Sequence, residues 1–220
     1  MIRSNYIVFD CETGGLNENE NPITQYAAVI LDGRTLKEID RWETYVKPYN
    51  DLEITKEALE KTMVNMSDIN SGLSLKEFVA VAKEFWKQHQ VRTKYKNMGR
   101  LVPVGHNVTF DIRFINKAME LDGSKEDMFE THYENFIDTF ALAKLTWGIK
   151  GDEKLKLGIC AERADIILTD AHGAMNDVEA TADLLRYYVK NLRNEKVVKK
   201  VVEEASRVKG QEFFEFTCVK

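Results

Sequence analysis

The sequence predicts an α/β domain in which helices cover one mixed sheet. Three segments with apolar or alternating side chains, typical of strands, come first, at residues 6–9, 26–31 and 39–48. Helical periodicity dominates from residue 74 onward, interrupted by one short strand pattern, LVPVG at 101–105. Strands followed by helices, with a further strand between the helices, indicate a sheet with helices packed on it.

The early elements carry recognisable boundaries. The first segment, YIVF, is apolar enough for a central strand and runs directly into Asp10 and Glu12. Asp-Gly at 32–33 is a turn signal, so the second and third strands are expected to form an antiparallel hairpin. Ser74 with Glu77 three residues later is a capping-box pattern, which predicts that a helix begins there.

The remaining chain is predicted to be mostly helical. A helix is expected to open near Asn107, its predicted N-cap, with four side chains facing inward: Phe110, Phe114, Ile115 and Ala118. Further helices are expected at about 138–147, 155–163 and 174–192, followed by an amphipathic run at 195–209. We therefore expect one domain over residues 1–192 and a helical extension or tail over 193–220.

Composition excludes several classes of protein. With 44% hydrophobic and 30% charged residues, the chain is an ordinary globular one rather than disordered or fibrous. The formal net charge of -5 argues against a protein that coats nucleic acid through a broad basic surface. No signal peptide or membrane-spanning run is visible, and the distant Cys11, Cys160 and Cys218 form no paired pattern. A reducing, cytoplasmic location is expected.

Two short segments place acids at the ends of regular elements. Asp10 and Glu12, two apart on a strand, project from the same face, and at 4 Å they would repel by about 4 kcal/mol at an effective dielectric near 20. Protonation, a neighbouring basic side chain or a bound cation would relieve that repulsion; a solvated loop is the alternative. Asp111 falls in the first turn of the helix after Asn107, where it could equally complement the helix dipole.

A third segment adds an acid and a histidine. Asp177 lies in the first turns of the helix at 174–192, and His172 precedes it by five residues. Two residues five apart on a helix point about 140° away from each other, so His172 can share a site with Asp177 only from the preceding loop. An exposed loop histidine is the alternative. Together the segments supply an oxygen ligand set suited to Mg²⁺ or Mn²⁺, with a histidine as a base.

These segments carry a family resemblance. FDCETGGL, GHNVTFD and HGAMND resemble the three motifs of the DEDDh, or DnaQ-like, 3'-5' exonucleases of the RNase H-like superfamily. That family includes the proofreading subunit of bacterial DNA polymerase III, RNase T and oligoribonuclease. The stretches ITQYAAVILD, IDTFALAKL and LKLGICAERADI are also similar. Two departures stand beside the acids: Gly14 replaces the usual second Thr, and Gly173 follows the histidine.

The resemblance implies a fold and an activity. The fold is an RNase H-like five-stranded mixed sheet, antiparallel in its first three strands and flanked by helices. The activity is two-metal hydrolysis at the 3' end of single-stranded nucleic acid, with DNA favoured, that releases nucleoside 5'-monophosphates in proofreading or DNA processing. Asp10, Glu12 and Asp177 would hold one Mg²⁺ or Mn²⁺, Asp10 and Asp111 the second, and His172 would take the proton from water. Substrate contacts are implied at Thr13, Gly14, Leu16, His106, Asn107 and Phe110.

Alternatives remain open at this point. Within the family, an exoribonuclease like RNase T or oligoribonuclease fits equally, and a non-catalytic nucleic-acid-binding or polymerase-binding subunit could share the fold. An aspartyl-nucleophile phosphatase would need Asp at the position where this sequence has Glu12. The sequence has no G-x-G-x-x-G motif, so it does not support a dinucleotide-binding protein.

Two further segments suggest partners. Gln211, Phe214 and Phe216 are spaced like the peptides that bacterial replication factors insert into a sliding clamp, although a terminal segment packed on the domain explains them too. The basic connector at 87–100 could flank the path of a nucleic-acid strand or form a solvated loop.

Overall fold

The computed structural model describes residues 4–62, 64–91, 101–124, 136–148, 155–168 and 173–192. In these ranges the strands are β1 (Asn5–Thr13), β2 (Ile23–Leu31), β3 (Glu38–Tyr45), β4 (Leu101–Gly105) and β5 (Ile137–Asp138). The helices are α1 (Lys56–Thr62), α2 (Met66–Ser71), α3 (Leu75–Gln88), α4 (Thr109–Leu121), α5 (Thr139–Trp147), α6 (Leu157–Arg163) and α7 (Ala174–Leu192).

The five strands form one mixed sheet in the order β3-β2-β1-β4-β5. The first three strands are antiparallel neighbours, whereas β4 is parallel to β1 and β5 is parallel to β4. The predicted fold class, a five-stranded mixed sheet with an antiparallel first half and flanking helices, is confirmed. It places β1 at the centre of the sheet.

Helices cover both faces of the sheet. On β1, Ile7 and Phe9 join a core that contains apolar residues of α3 and α4. Val8 points the other way and joins a second core, which contains apolar residues of α7. Because all three residues are fully or almost fully buried, β1 is a rigid support for whatever follows it.

The turn between β2 and β3 and the start of α3 can be compared with the sequence-based predictions. The hairpin between β2 and β3 is confirmed, but its turn is longer than two residues because the Asp32 carboxylate accepts hydrogen bonds from the backbone of Arg34 and Thr35. The capping box is also confirmed: Ser74 caps α3 and its backbone N–H donates to the Glu77 carboxylate at 2.9 Å.

The prediction that Asn107 caps α4 is wrong. The N-cap residue is Val108, and its side chain makes no capping hydrogen bond. Asn107 instead has a left-handed backbone, with φ of 67°, a conformation that asparagine tolerates better than most residues. Its N–H donates to Oδ1 of Asp138 at 2.9 Å, so the loop is fixed by β5 rather than by a cap.

The predicted helices at 138–147, 155–163 and 174–192 correspond to α5, α6 and α7. α1, α2 and the two-residue β5 were not predicted as elements. No helix among the described residues combines the length and apolar character needed to cross a bilayer. The predicted tail at 193–220 and most of the basic connector, residues 92–100, lie outside the described residues.

Candidate active site

β1 extends past its parallel neighbour, and the overhang carries the first two acids. β4 pairs with β1 only as far as Val8, whereas β2 accompanies β1 to Thr13. Beyond Val8, therefore, no strand among the described residues pairs with the edge of β1 that faces β4. The Cys11 N–H there donates to Oδ1 of Asp111 at 3.0 Å, so a side chain from α4 takes the place of a strand.

The fourth acid comes from α7. One carboxylate oxygen from each of Asp10, Glu12 and Asp177 lies within 4.8 Å of the other two. Asp177 is in the first turn of α7, where its N–H donates to the carbonyl of Gly173 at 3.1 Å. Ala174 and Val178, on either side of Asp177 in sequence, are fully buried, and this packing fixes the rotation of α7 about its axis.

Burial and mutual repulsion disfavour the charged forms of these acids. Burial is the main cause that raises the pKa of Asp10 well above its usual range, with further contributions from Asp111, Glu12 and Asp177. Burial, with Asp177 nearby, likewise raises the pKa of Glu12 to about 7. Burial raises the pKa of Asp111 to about 8, against the opposing effect of the Cys11 N–H. A divalent cation would relieve these costs, and the donors are the oxygen ligands that Mg²⁺ and Mn²⁺ prefer. The residues present therefore fit a metal site.

The acids line a cleft of about 370 Å³. Five of the predicted substrate-contacting residues also line it: Thr13, Leu16, His106, Asn107 and Phe110. Leu16 is 78% exposed, and Phe110 is partly buried against the core. The cleft thus combines an acidic cluster with apolar surface.

Gly14 is placed differently from the other predicted contacts. Its N–H donates to the carbonyl of Pro22 at 2.8 Å, and its own carbonyl accepts from the Thr55 N–H at 2.8 Å. A Cβ at this position would lie 2.7 Å from the carbonyl oxygen of Glu53 and 2.8 Å from Cδ of Pro22. Gly14 is therefore a close-packing position, and its N–H is already engaged, which leaves the second lone pair of its carbonyl oxygen for a terminal nucleotide.

The ring nitrogens of His106 are held within the protein. Nε2 lies 2.8 Å from the Leu155 carbonyl, which can only accept, and Nδ1 lies 2.9 Å from Oγ1 of Thr139. Burial lowers the pKa of His106, which favours the neutral ring. His106 therefore ties the loop after β4 to the start of α5 and to the residues before α6, and presents its ring rather than a free nitrogen to the cleft.

His172, the predicted base, lies outside the described residues. Sequence reasoning missed one group of cleft residues, on and just before α1: Thr55, Glu57, Ala58, Lys61 and Thr62. Thr55 Oγ1 accepts from the Ala58 N–H at 3.1 Å, so a threonine before a run of helix formers did mark a helix start. Nothing in the sequence placed that helix beside the acids.

Comparisons with known proteins agree with this geometry. The family model described as Exonuclease, of the RNase T type, matches residues 7–185. The PolC-type DNA polymerase III of Clostridium perfringens is 29% identical over 191 residues, which cover 86% of this chain and 12% of that protein. The chain thus spans 12% of the length of this curated relative. Ribonuclease T of Histophilus somni is 26% identical over 194 residues, covering 85% of this chain and 84% of that protein.

Solved structures show the same fold. Exonuclease I from Methylocaldum szegediense matches with a TM-score of 0.69 and 22% identity, over 93% of this chain and 45% of that one. Exonuclease I of E. coli, in complex with a dT13 oligonucleotide, matches with a TM-score of 0.67 and 19% identity, over 91% of this chain and 44% of that one. The predicted RNase H-like fold is confirmed.

Proposed function

Because the chain belongs to the RNase T-type exonuclease family, we propose that it is a metal-dependent 3'-5' exonuclease. Its substrate is the 3' end of single-stranded nucleic acid, with DNA favoured, and its products are nucleoside 5'-monophosphates. The observation that carries this proposal is the convergence of Asp10, Glu12 and Asp177 within 4.8 Å, with the buried Asp111 fixed to the same strand.

The acids have separate tasks in this proposal. Asp10, Glu12 and Asp177 hold one Mg²⁺ or Mn²⁺, and Asp111 with Asp10 holds a second. Such ions, when bound, supply positive charge for the attacking and leaving oxygens of an in-line displacement at phosphorus. The hydrogen bond from the Cys11 N–H to Oδ1 orients the Asp111 carboxylate, whose remaining lone pairs would serve the ion.

His172 is the proposed general base. An imidazole with an ordinary pKa near 6.5 accepts a proton from the attacking water at neutral pH. Its position in sequence, immediately before Gly173 and α7, supports a location near Asp177.

The apolar part of the cleft suits the terminal base. Leu16 and Phe110 both line it, and contact between a base and such side chains tolerates any sequence. A proofreading or degradative nuclease needs that tolerance, because it removes whichever nucleotide stands at the 3' end.

The test is digestion of a 5'-labelled single-stranded oligonucleotide with Mg²⁺ or Mn²⁺. The wild-type protein should shorten it stepwise from the 3' end, and Asp10→Asn and Asp177→Asn should each slow this by roughly 1,000-fold or more. Asp183→Asn, which changes an exposed acid of α7 bonded to Arg186, is the matched control and should leave the rate unchanged. Undiminished degradation by Asp10→Asn, or in excess chelator, would overturn the metal assignment.

A second candidate is an exoribonuclease. It is favoured by Ribonuclease T, which this chain matches over 84% of that protein's length, compared with 12% of the PolC relative. Rates on single-stranded DNA, single-stranded RNA and dinucleotides, measured side by side, separate the two candidates.

Association with a polymerase is suggested by the PolC relatives, and the clamp-binding role of Gln211, Phe214 and Phe216 stays a prediction.

A further inference from the structure

The described lining of the cleft is almost entirely acidic in its charged groups. Five side chains there carry carboxylates: Asp10, Glu12, Glu57, Asp111 and Asp177. Against them, the described lining has one lysine, Lys61, and no arginine. A nucleic-acid strand that enters this cleft brings further negative charge. The position of the Lys61 ammonium group therefore affects how the strand can bind.

Backbone contacts fix the helix that carries Lys61. The Thr55 N–H, just before α1, donates to the carbonyl of Gly14 at 2.8 Å, next to the acid-bearing end of β1. Nδ2 of Asn21 donates to the carbonyl of Glu53 at 2.9 Å, and the Glu53 N–H donates to the carbonyl of Glu20 at 2.8 Å. These bonds join the segment before α1 to the loop after β1, so α1 is held beside the cleft.

Lys61 differs from the other lysine of α1. Lys56 lies 3.5 Å from Glu60 in an exposed ion pair. Lys61 follows Lys56 by five residues, so the two side chains leave the helix about 140° apart. Lys61 lines the cleft, where its charge opposes the rise in the pKa of both Asp10 and Glu12. Its ammonium therefore acts on the acidic cluster itself.

The charge balance changes once the cleft is loaded. Under the proposed function, two divalent ions supply four positive charges and match the four carboxylates that hold them. The backbone phosphates of a bound strand then have Lys61 as their nearest fixed cation among the described cleft residues. An ammonium on a flexible stem suits a phosphate as a point charge with three donors.

We propose that Lys61 is a substrate-binding residue whose ammonium group contacts a backbone phosphate near the 3' end of the bound strand. This assignment rests on the proposed function and adds to it a phosphate contact outside the metal ligands. Such a contact positions the strand without reading its sequence.

The test measures binding directly. A fluorescently labelled single-stranded oligonucleotide is titrated with protein in Mg²⁺, and anisotropy is followed at several salt concentrations. A non-hydrolysable, charged 3'-terminal linkage together with a His172→Ala background keeps the strand intact. Lys61→Gln should weaken binding about tenfold and reduce the slope of log K against log salt by about 0.7, the value for one phosphate contact to a single strand. Lys61→Arg should restore most of the affinity, and Lys56→Gln, the matched control, should behave as the parent.

Kinetics in the otherwise wild-type protein give an independent result. Lys61→Gln should raise KM by about the same factor while kcat changes by less than about threefold, because the contact is made in both ground and transition states. Replacing one phosphate at a time with an uncharged methylphosphonate identifies the phosphate that Lys61 contacts. When that phosphate is the one replaced, the oligonucleotide should bind Lys61→Gln and the parent protein equally well.

Each alternative has its own outcome. An unchanged salt slope and KM in Lys61→Gln, or a change confined to metal affinity or thermal stability, would overturn the phosphate contact. Wild-type protein that binds the strand but never shortens it would overturn the proposed function instead, and the anisotropy measurement would still decide the role of Lys61.

Discussion

Two kinds of structure line the cleft, and they hold their side chains differently. Four of the five acids, all except Glu57, stand on β1, α4 and α7, elements of 9 to 19 residues with buried apolar faces. Most of the other lining residues stand on short connections, which are the loop after β1, the seven-residue α1 and the loop after β4. The exceptions are Cys11 and Thr13 on β1 and Phe110 on α4. On the short connections, Leu16 is 78% exposed and Lys61 is also exposed.

This difference in packing matches what metal binding and nucleic-acid binding each require. Metal ligands have to be held to within fractions of an ångström, which packed helices and strands can do. Contacts to a strand of any sequence tolerate more movement, and loops on a rigid frame commonly supply them. Under the proposed function, the acid-bearing elements would determine whether the protein cleaves, and the short connections, together with Phe110 of α4, would determine what it accepts.

A large effect is expected from His172, the proposed base, which lies outside the described residues. His172→Ala should slow cleavage by roughly 100-fold while binding of the oligonucleotide survives, since the acids and apolar contacts remain. The measurement is single-turnover cleavage of a labelled strand across pH 6–9, beside its binding affinity. Unchanged turnover would remove His172 as the base, and an equal loss of binding would make it a substrate contact.

Gly14 provides the next test of the difference between packed elements and short connections. It directly follows β1, and its carbonyl accepts a hydrogen bond from the segment before α1. Introducing the threonine usual in the family, Gly14→Thr, should lower the free energy of unfolding by roughly 2 kcal/mol, since its Cβ would meet the backbone of Glu53 and the ring of Pro22. Displacing the segment before α1 should also raise KM more than it lowers kcat. Urea unfolding and steady-state kinetics measure the two effects.

A second glycine provides the control for that experiment. Gly158, in α6, has open space where an alanine would place its Cβ, so Gly158→Ala should be neutral or slightly stabilising, by less than about 1 kcal/mol. A Gly14→Thr protein as stable as the wild type would show that the 53–55 segment moves freely, and would remove the close-packing argument for how Lys61 is placed.

The same division explains what the sequence could predict. β1 and the helices α3, α4 and α7 show long periodic or apolar patterns, and four acids sit near the ends of β1, α4 and α7, so position along an element was enough to group them. The short elements gave weaker patterns: α1 and α2 have seven and six residues, and β5 has two. Their existence depends on tertiary contacts such as the hydrogen bond from Thr55 to Gly14.

Two individual residues show the same limit. Asn107 was expected to cap α4, but Asp138, 31 residues later, accepts its N–H and holds it at positive φ. Lys61 has no distinguishing sequence pattern around it, and only the approach of α1 to β1 puts it beside Asp10 and Glu12. Both depend on contacts between distant segments, for which a local pattern carries no information.

The remaining predictions concern the acids alone and are dependences on pH. In the metal-free protein the pKa of Glu12 is raised to about 7 and that of Asp111 to about 8, so the folded state binds protons that the unfolded chain has already released. Stability of the metal-free protein should therefore fall as pH rises from about 5 to 8. Thermal unfolding across this range in chelator measures the trend.

Metal binding should show the opposite dependence, because these carboxylates have to lose their protons to become ligands. Between pH 6 and 7, Mn²⁺ should release about one to two protons per protein, and its apparent affinity should rise roughly tenfold or more per pH unit. Calorimetric titrations in two buffers with different heats of ionisation count the protons. Glu43→Gln, which changes a strand acid of β3 bonded to Gln25 and not among the cleft residues, is the control and should leave the count unchanged. Binding without proton release at pH 6 would mean that the acids are already ionised, and that water reaches the acid-bearing elements as freely as it reaches the exposed connections.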